Sequence, residues 1–177
     1  MLSSISSKQK NQIWFIIFSF ISFAVMVLIF IMSSQVAEES AELSSGAADI
    51  ITKITETITE IIFPDAEVTE DVGFLLFINT YLRKIAHFTI YTVLGAFLFS
   101  AALNIENGAV YKKILISMAI GLLYSVTDEF HQLFVEGRSG EITDVLIDFG
   151  GVVLGTVFVF MIYKIFVCVK KKNLKKI

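Results

Sequence analysis

The sequence predicts an all-α fold: a polytopic membrane protein built as a four-transmembrane-helix bundle, one membrane domain over residues 1–177. Three observations carry that expectation. Four apolar stretches are each long enough to cross a bilayer. Hydrophobic residues make up 55% of the chain and its mean hydropathy is +0.77, whereas soluble domains average about 45–50% apolar. Lastly, the charges are sorted to the two sides of those stretches rather than scattered along the chain.

The first stretch, Ile13–Met32, is uncharged and at about 1.5 Å per residue covers about 30 Å, one hydrocarbon core. Lys8 and Lys10 precede it, as basic residues precede a secretory signal. Signal-peptide cores are about half as long, however, and no small-x-small cleavage site follows, so a retained helix is expected. The other spans are read as Ile85–Leu103, Ile114–Phe130 and Val145–Val169. Gly137 and Gly140 permit a tight turn before the last one. Gly151 and Gly155 form a G-x-x-x-G in the fourth span, which favours close approach of a neighbouring helix, from this chain, a second copy or a membrane partner.

Orientation follows from the basic residues. With both termini and the Asn104–Lys113 loop in the cytoplasm, only Lys53, Arg83, Lys84 and Arg138 of the 14 basic residues fall outside. Among the 17 acidic residues only Glu106 then falls inside. The positive-inside rule therefore gives N-in, C-in in a bacterial plasma membrane. Between the first two spans lies an acidic outer segment, 33–82, with the chain's one proline, Pro64. In it, Leu43, Ala47, Ile50, Ile54, Ile58 and Ile61 recur at steps of three and four, predicting an amphipathic helix over Ala37–Ile62 that packs on the bundle or lies on the membrane face. Residues Val72–Tyr81 are apolar again and are expected to enter the interface ahead of the second span. Cys168 is the lone cysteine, so no intrachain disulfide forms, and a buried, inert thiol is expected.

An up-down arrangement sends the reactive polar residues to one membrane face. Ser33, Ser34 and Gln35 end the first span; Arg83, Lys84, His87 and Tyr91 open the second. Tyr124, Asp128, Glu129, His131 and Gln132 close the third, and Asp144 and Asp148 begin the fourth. Spacing of four puts Arg83, His87 and Tyr91 on one helix face, and likewise Tyr124, Asp128 and Gln132. Depth adds weight: Asp128 lies about 22 Å of helix beyond Lys113 in a core of about 30 Å. A carboxylate at the core centre costs roughly 2.5–3.5 kcal/mol, so Asp128 is expected to face a partner or a cavity. Partners available are His87, Arg83, Lys84 and Arg138.

Each residue also has a plainer role. Arg83 and Lys84 serve equally as headgroup anchors, Arg138 as a turn-closing partner for Glu136 or Glu141, Asp144 as a helix cap, and the histidines as backbone-bonded interfacial residues. Together they form either one outward-opening polar pocket or a structural ion-pair network. No cofactor is expected. A metal is not favoured, because no H-E-x-x-H or similar ligand spacing is present. A serine nucleophile lacks its G-x-S-x-G turn, and phosphate-loop signatures are absent. Nucleic acid is not an expected partner, since the basic tail Lys170–Lys176 reads as a topology anchor on anionic lipid.

The string Tyr124-Ser125-Val126-Thr127-Asp128-Glu129-Phe130-His131-Gln132, then Gly137-Arg138, then Asp144-Val145-Leu146-Ile147-Asp148, resembles the VanZ-like family of bacterial membrane proteins. Ser33-Ser34-Gln35 and Lys84, His87 and Tyr91 support the resemblance, which runs from about Ile13 to Phe166; the acidic Ala37–Asp71 segment does not match. It implies a four-helix cell-envelope protein associated with resistance to teicoplanin, a lipidated glycopeptide. It also implies Lys84, His87, Asp128, Glu129, Gln132, Arg138, Asp144 and Asp148 as motif positions, without a reaction. The leading expectation is an outward pocket engaging a lipid headgroup, a lipid-linked precursor or a lipoglycopeptide at the outer leaflet. The alternatives are a membrane-embedded hydrolase or transferase with His87, Asp128 or His131 as catalytic groups, and a small transporter or accessory subunit.

Overall fold

The computed structural model describes residues 6–34, 53, 72–135 and 140–174, giving for 72–80 and 174 the backbone alone. The helices described over their whole length are α1 (Ser7–Ser33), α2 (Val72–Leu103), α3 (Val110–Gln132) and α4 (Ile142–Leu174). All four are long and apolar enough to cross a membrane, and no strand occurs among the described residues. The expected amphipathic helix over Ala37–Ile62 falls outside the described residues, apart from Lys53, and so does the Glu136–Ser139 part of the last turn.

Local chemistry explains where the helices start. Ser6 and Gln9 form a capping box on α1: Ser6 Oγ accepts from the Gln9 N–H at 3.4 Å, and Gln9 Oε1 accepts from the Ser6 N–H at 3.0 Å. The helix α2 starts at Val72, well before the expected span at Ile85. Arg83 and Lys84 mark a change in polarity there, not in backbone conformation, because the helix is set by its own i to i−4 hydrogen bonds. Between α2 and α3, Gly108 adopts φ +121°, a region that L side chains avoid, so glycine makes this turn possible. Lys113 closes the same corner, its Nζ donating to the Leu103 and Ile105 carbonyls at 3.1 and 2.5 Å. Those are end carbonyls that no helical N–H reaches, and a cation suits the negative end of the helix dipole.

Contacts fix the alternation. The end of α1 meets the end of α3 through Ser33 and Asp128, while α2, about three turns in from Val72, meets the start of α4 through Lys84 and Asp144. At the opposite end Lys8 pairs with Glu106 at 3.8 Å. The ends of α1 and α3, the start of α4 and the Lys84 region of α2 therefore gather at one end of the bundle, with the N-terminus and the α2–α3 loop at the other.

The bundle is apolar outside and polar inside. Phe20 is 71% exposed and Phe158 61%, a surface that water would penalise and lipid accepts. Buried positions hold Ser22, Ser117, Asp128, Glu129, Gln132 and Asp148 beside an apolar core of Tyr91, Leu94, Phe99 and Val152. The closest seam joins α2 and α4. A Cβ on Gly151 would collide with the Phe88 carbonyl oxygen, and one on Gly155 with that of Thr92. Gly95 meets the Val152 backbone, and a Cβ on Gly121 would sit 2.5 Å from Val152 Cγ1. Van der Waals contact between backbones drives helix association in lipid, where apolar side chains gain nothing by leaving the acyl phase. The glycine face thus packs against α2 of the same chain at Phe88 and Thr92. Cys168 departs from expectation, being exposed on the outer face of α4.

Candidate functional site

The site forms where those four helix segments meet, and each helix supplies one face. From α2, the four-residue spacing carries His87 and Tyr91 inward, 8% and 0% exposed, with ring centroids 6.4 Å apart. From α3 comes Asp128, 3% exposed, and from α4 Asp148, 2% exposed. His87 Nδ1 lies 3.7 Å from Asp148 Oδ2. One ligating atom each from His87, Asp128 and Asp148 falls within 4.8 Å of the others. Side chains from three sequence-distant helices therefore converge in one buried cluster.

Ser33 completes one side of it. Its hydroxyl, fully buried at the end of α1, donates to Asp128 Oδ2 at 2.9 Å. Asp128 Oδ1 and the Tyr91 hydroxyl have no well-formed hydrogen bond among the described residues. Burial without a partner is costly for such groups, about 1–3 kcal/mol each and more when charged. The sequence places Ser33 at this end of the first span, and the arrival of α3 supplies its partner.

Above the cluster is a small cleft enclosing about 240 Å³ of empty space, part of it open to the outside. Arg83, Lys84, Gln132 and Asp144 line it, and His87 and Asp148 connect it to the buried cluster. Lys84 is held in place by an ion pair with Asp144 and a second with Glu141 at 3.4 Å. It is thus more than a headgroup anchor. The Thr143 hydroxyl, donating at 3.0 Å, and then the Lys84 ammonium hold the exposed Glu141 carboxyl below its ordinary range.

Other expected site residues border the cluster with partners of their own, Tyr124 with its ring centroid 6.2 Å from that of Tyr91. His131 stacks on Phe30 at 4.5 Å between α3 and α1, and its buried Nε2 has no hydrogen-bond partner among the described residues. Tyr124 ties α3 to α1, its hydroxyl donating to the Met26 carbonyl at 2.5 Å. Glu129 Oε1 accepts the Glu141 N–H at 2.6 Å and so anchors the start of α4. Its other oxygen is buried without a partner among the described residues. Arg138 lies outside the described residues. Two buried hydroxyls are not among the sequence candidates: Ser125, which donates to the Val145 carbonyl at 3.1 Å, and, deeper in α4, Thr156, whose hydroxyl has no partner among the described residues. Small hydroxyl residues in membrane helices show no distinguishing pattern, because each bonds its own backbone as readily.

Residues 18–166 match the family model described as VanZ/LLP1. The chain belongs to the VanZ/LLP1 family. The matched stretch contains the whole described cluster, from Ser33 through His87 and Asp128 to Asp148, and leaves out the lysine-rich tail. No curated protein and no solved structure matches the chain. This VanZ-like protein is a multi-pass membrane protein with four apolar helices.

Proposed function

We propose that this VanZ-like protein sits N-in, C-in in the bacterial plasma membrane and holds an anionic headgroup, that of a lipid or a lipid-linked envelope precursor, at its outward-facing cleft. Its role would lie in teicoplanin-type resistance or envelope homeostasis. The observation that carries this reading is the cleft itself, which Arg83, Lys84, His87 and Gln132 line together with Asp144 and Asp148. Among the described residues Arg83 is the cation available to an anion, since Lys84 is paired with Asp144 and Glu141. Only about 10 Å³ of the cleft is closed space, roughly the room of one water, so a lipid or lipoglycopeptide would reach into it with a single anionic oxygen rather than a whole headgroup. An arginine fork adds bidentate grip on phosphate.

The test replaces Arg83 and Gln132 with alanine in a strain lacking the chromosomal copy, with membrane insertion checked by accessibility labelling of both termini. Loss of anionic-lipid retention in native mass spectrometry, together with a teicoplanin susceptibility equal to the null strain, is the expected result. Retained lipid and wild-type susceptibility would defeat the proposal.

A second reading is favoured by one observation, the His87–Asp148 pair at 3.7 Å beside buried Asp128. A histidine oriented by a carboxylate is the arrangement of a general base, and such contacts tighten when substrate binds. In that reading the protein is a hydrolase or transferase on lipid-linked substrates. Turnover of such a substrate by purified wild type, absent in His87→Gln, separates it from simple binding.

A further inference from the structure

The buried cluster beneath the cleft has a charge problem. Asp128 and Asp148 together carry two negative charges when ionised, are 3% and 2% exposed, and face one imidazole that supplies at most one positive charge. Isolated buried charge in a membrane interior is strongly unfavourable unless paired. Lys84 does not relieve it, being engaged with Asp144 and Glu141 at the cleft rim. Two further groups point to something missing at this spot. Asp128 Oδ1, the oxygen that Ser33 leaves free, has no hydrogen-bond partner among the described residues. The fully buried Tyr91 hydroxyl, close to Asp128 and Asp148, reaches Asp128 at best in a weak, poorly formed hydrogen bond.

We propose that His87, Asp128 and Asp148 form a binding site for one divalent transition-metal ion, Zn²⁺ ahead of Mn²⁺. A divalent ion cancels the two carboxylates with His87 neutral, which no group already in the cluster achieves. The donor set fits: one imidazole nitrogen and two carboxylate oxygens, without sulfur, suits Zn²⁺ and its borderline neighbours, and neither Cu(I) nor the all-oxygen preference of Ca²⁺. The geometry fits as well. Ligands about 2.0–2.2 Å from a tetrahedral centre stand about 3.3–3.6 Å apart. The His87–Asp148 contact is already 3.7 Å, and all three ligating atoms lie within 4.8 Å, a gap that side-chain rotation closes. Ser33 acts as an outer partner, fixing the Asp128 carboxylate by its hydrogen bond. Because His87 and Asp148 also border the cleft, an ion there keeps an open coordination position towards it. The ligands come from three helices, which is why no spacing in the sequence announces them. The inference does not depend on the headgroup reading, since it concerns the cluster below the cleft and is tested without lipid ligand.

Untagged full-length protein in detergent is stripped with chelator, incubated with Zn²⁺ or Mn²⁺, desalted, and its metal content measured by mass spectrometry, with affinity by calorimetry. The expected result is about one Zn²⁺ per chain, weaker Mn²⁺ binding, and a Tm that rises with added Zn²⁺ as ligand linkage requires. Asp148→Asn and His87→Ala abolish both the retained metal and the Tm rise, and Ser33→Ala weakens affinity about 10–100-fold, the usual effect of losing an outer partner. Folded wild-type protein retaining no metal above buffer overturns the proposal, and that measurement needs no variant. Metal retained unchanged by folded Asp148→Asn and His87→Ala overturns it equally, by locating the ion elsewhere. A Cys168→Ser control is expected to bind as wild type does.

Discussion

The two ends of the bundle use the same residue types for opposite purposes. At the loop end, Lys113 gives its ammonium to the Leu103 and Ile105 carbonyls, and Lys8 meets Glu106 with both side chains substantially exposed. These contacts finish helices; water competes for the Lys8–Glu106 pair, while Lys113 is itself buried and directs its charge at the two carbonyls. At the cleft end, His87, Asp128 and Asp148 are buried together, held by Ser33 and bordered by the Lys84–Asp144 pair. A residue needed only for its helix stays near water or bonds to nearby backbone. A residue drawn into a low-dielectric interior by three helices at once costs stability unless something compensates it. The difference lies in the company each buried charge keeps: Lys113 meets carbonyls, whereas Asp128 and Asp148 meet each other and one imidazole.

The comparison breaks first at His87. In metal-stripped protein, His87→Leu is expected to cost about 3–5 kcal/mol, because Asp148 is left buried without its partner. A double replacement, His87→Leu with Asp148→Leu, is expected to recover most of that loss. Thermal or denaturant unfolding in one detergent measures both, and a double variant no better than the single would make the cluster a structural necessity. Next, Lys113→Met at the loop end is expected to cost about 1–2 kcal/mol, since it removes a charged donor from two carbonyls that water can partly reach. If it costs as much as His87→Leu, the two ends do not differ as described.

The smallest effect sharpens the rim. Glu141 has its carboxyl held down by Thr143 and Lys84, so its contribution is present at neutral pH and lost as pH falls through its depressed folded-state value. The Tm difference between wild type and Glu141→Gln is therefore expected to favour wild type by at most a degree or two near pH 7 and to vanish below the carboxylate range. Being fully exposed, the group is screened by solvent and salt. A difference that grows on acidification would contradict the assignment.

Much of this protein is legible in its residues alone. A run such as Ile13–Met32 admits one solution in lipid, a helix that satisfies its own backbone. Spacing of four is enough to predict that His87 shares a face with Tyr91, and depth in the bilayer that Asp128 looks inward. Less visible is which neighbour each face meets. His131 is close to Asp128 on α3, yet it turns to Phe30 of α1. Three steps along a helix leave two side chains about 60° apart, enough to change partners. Glu129 stands in the motif as a binding candidate, and its oxygen instead receives the Glu141 N–H at the α4 entry. Polarity says where an apolar span of α2 begins and not where its helix does, because the backbone hydrogen bonds continue upstream to Val72.

By itself, then, the sequence determined how many helices cross the membrane and which faces are polar, because hydropathy and the 3.6-residue period are properties of a single segment. Only the tertiary structure decided that Gly151 and Gly155 pack on α2, that Ser33 bonds Asp128, and that His87 stands against Asp148. Those are choices between helices, made by close backbone packing in a solvent that offers apolar surfaces no preference of their own.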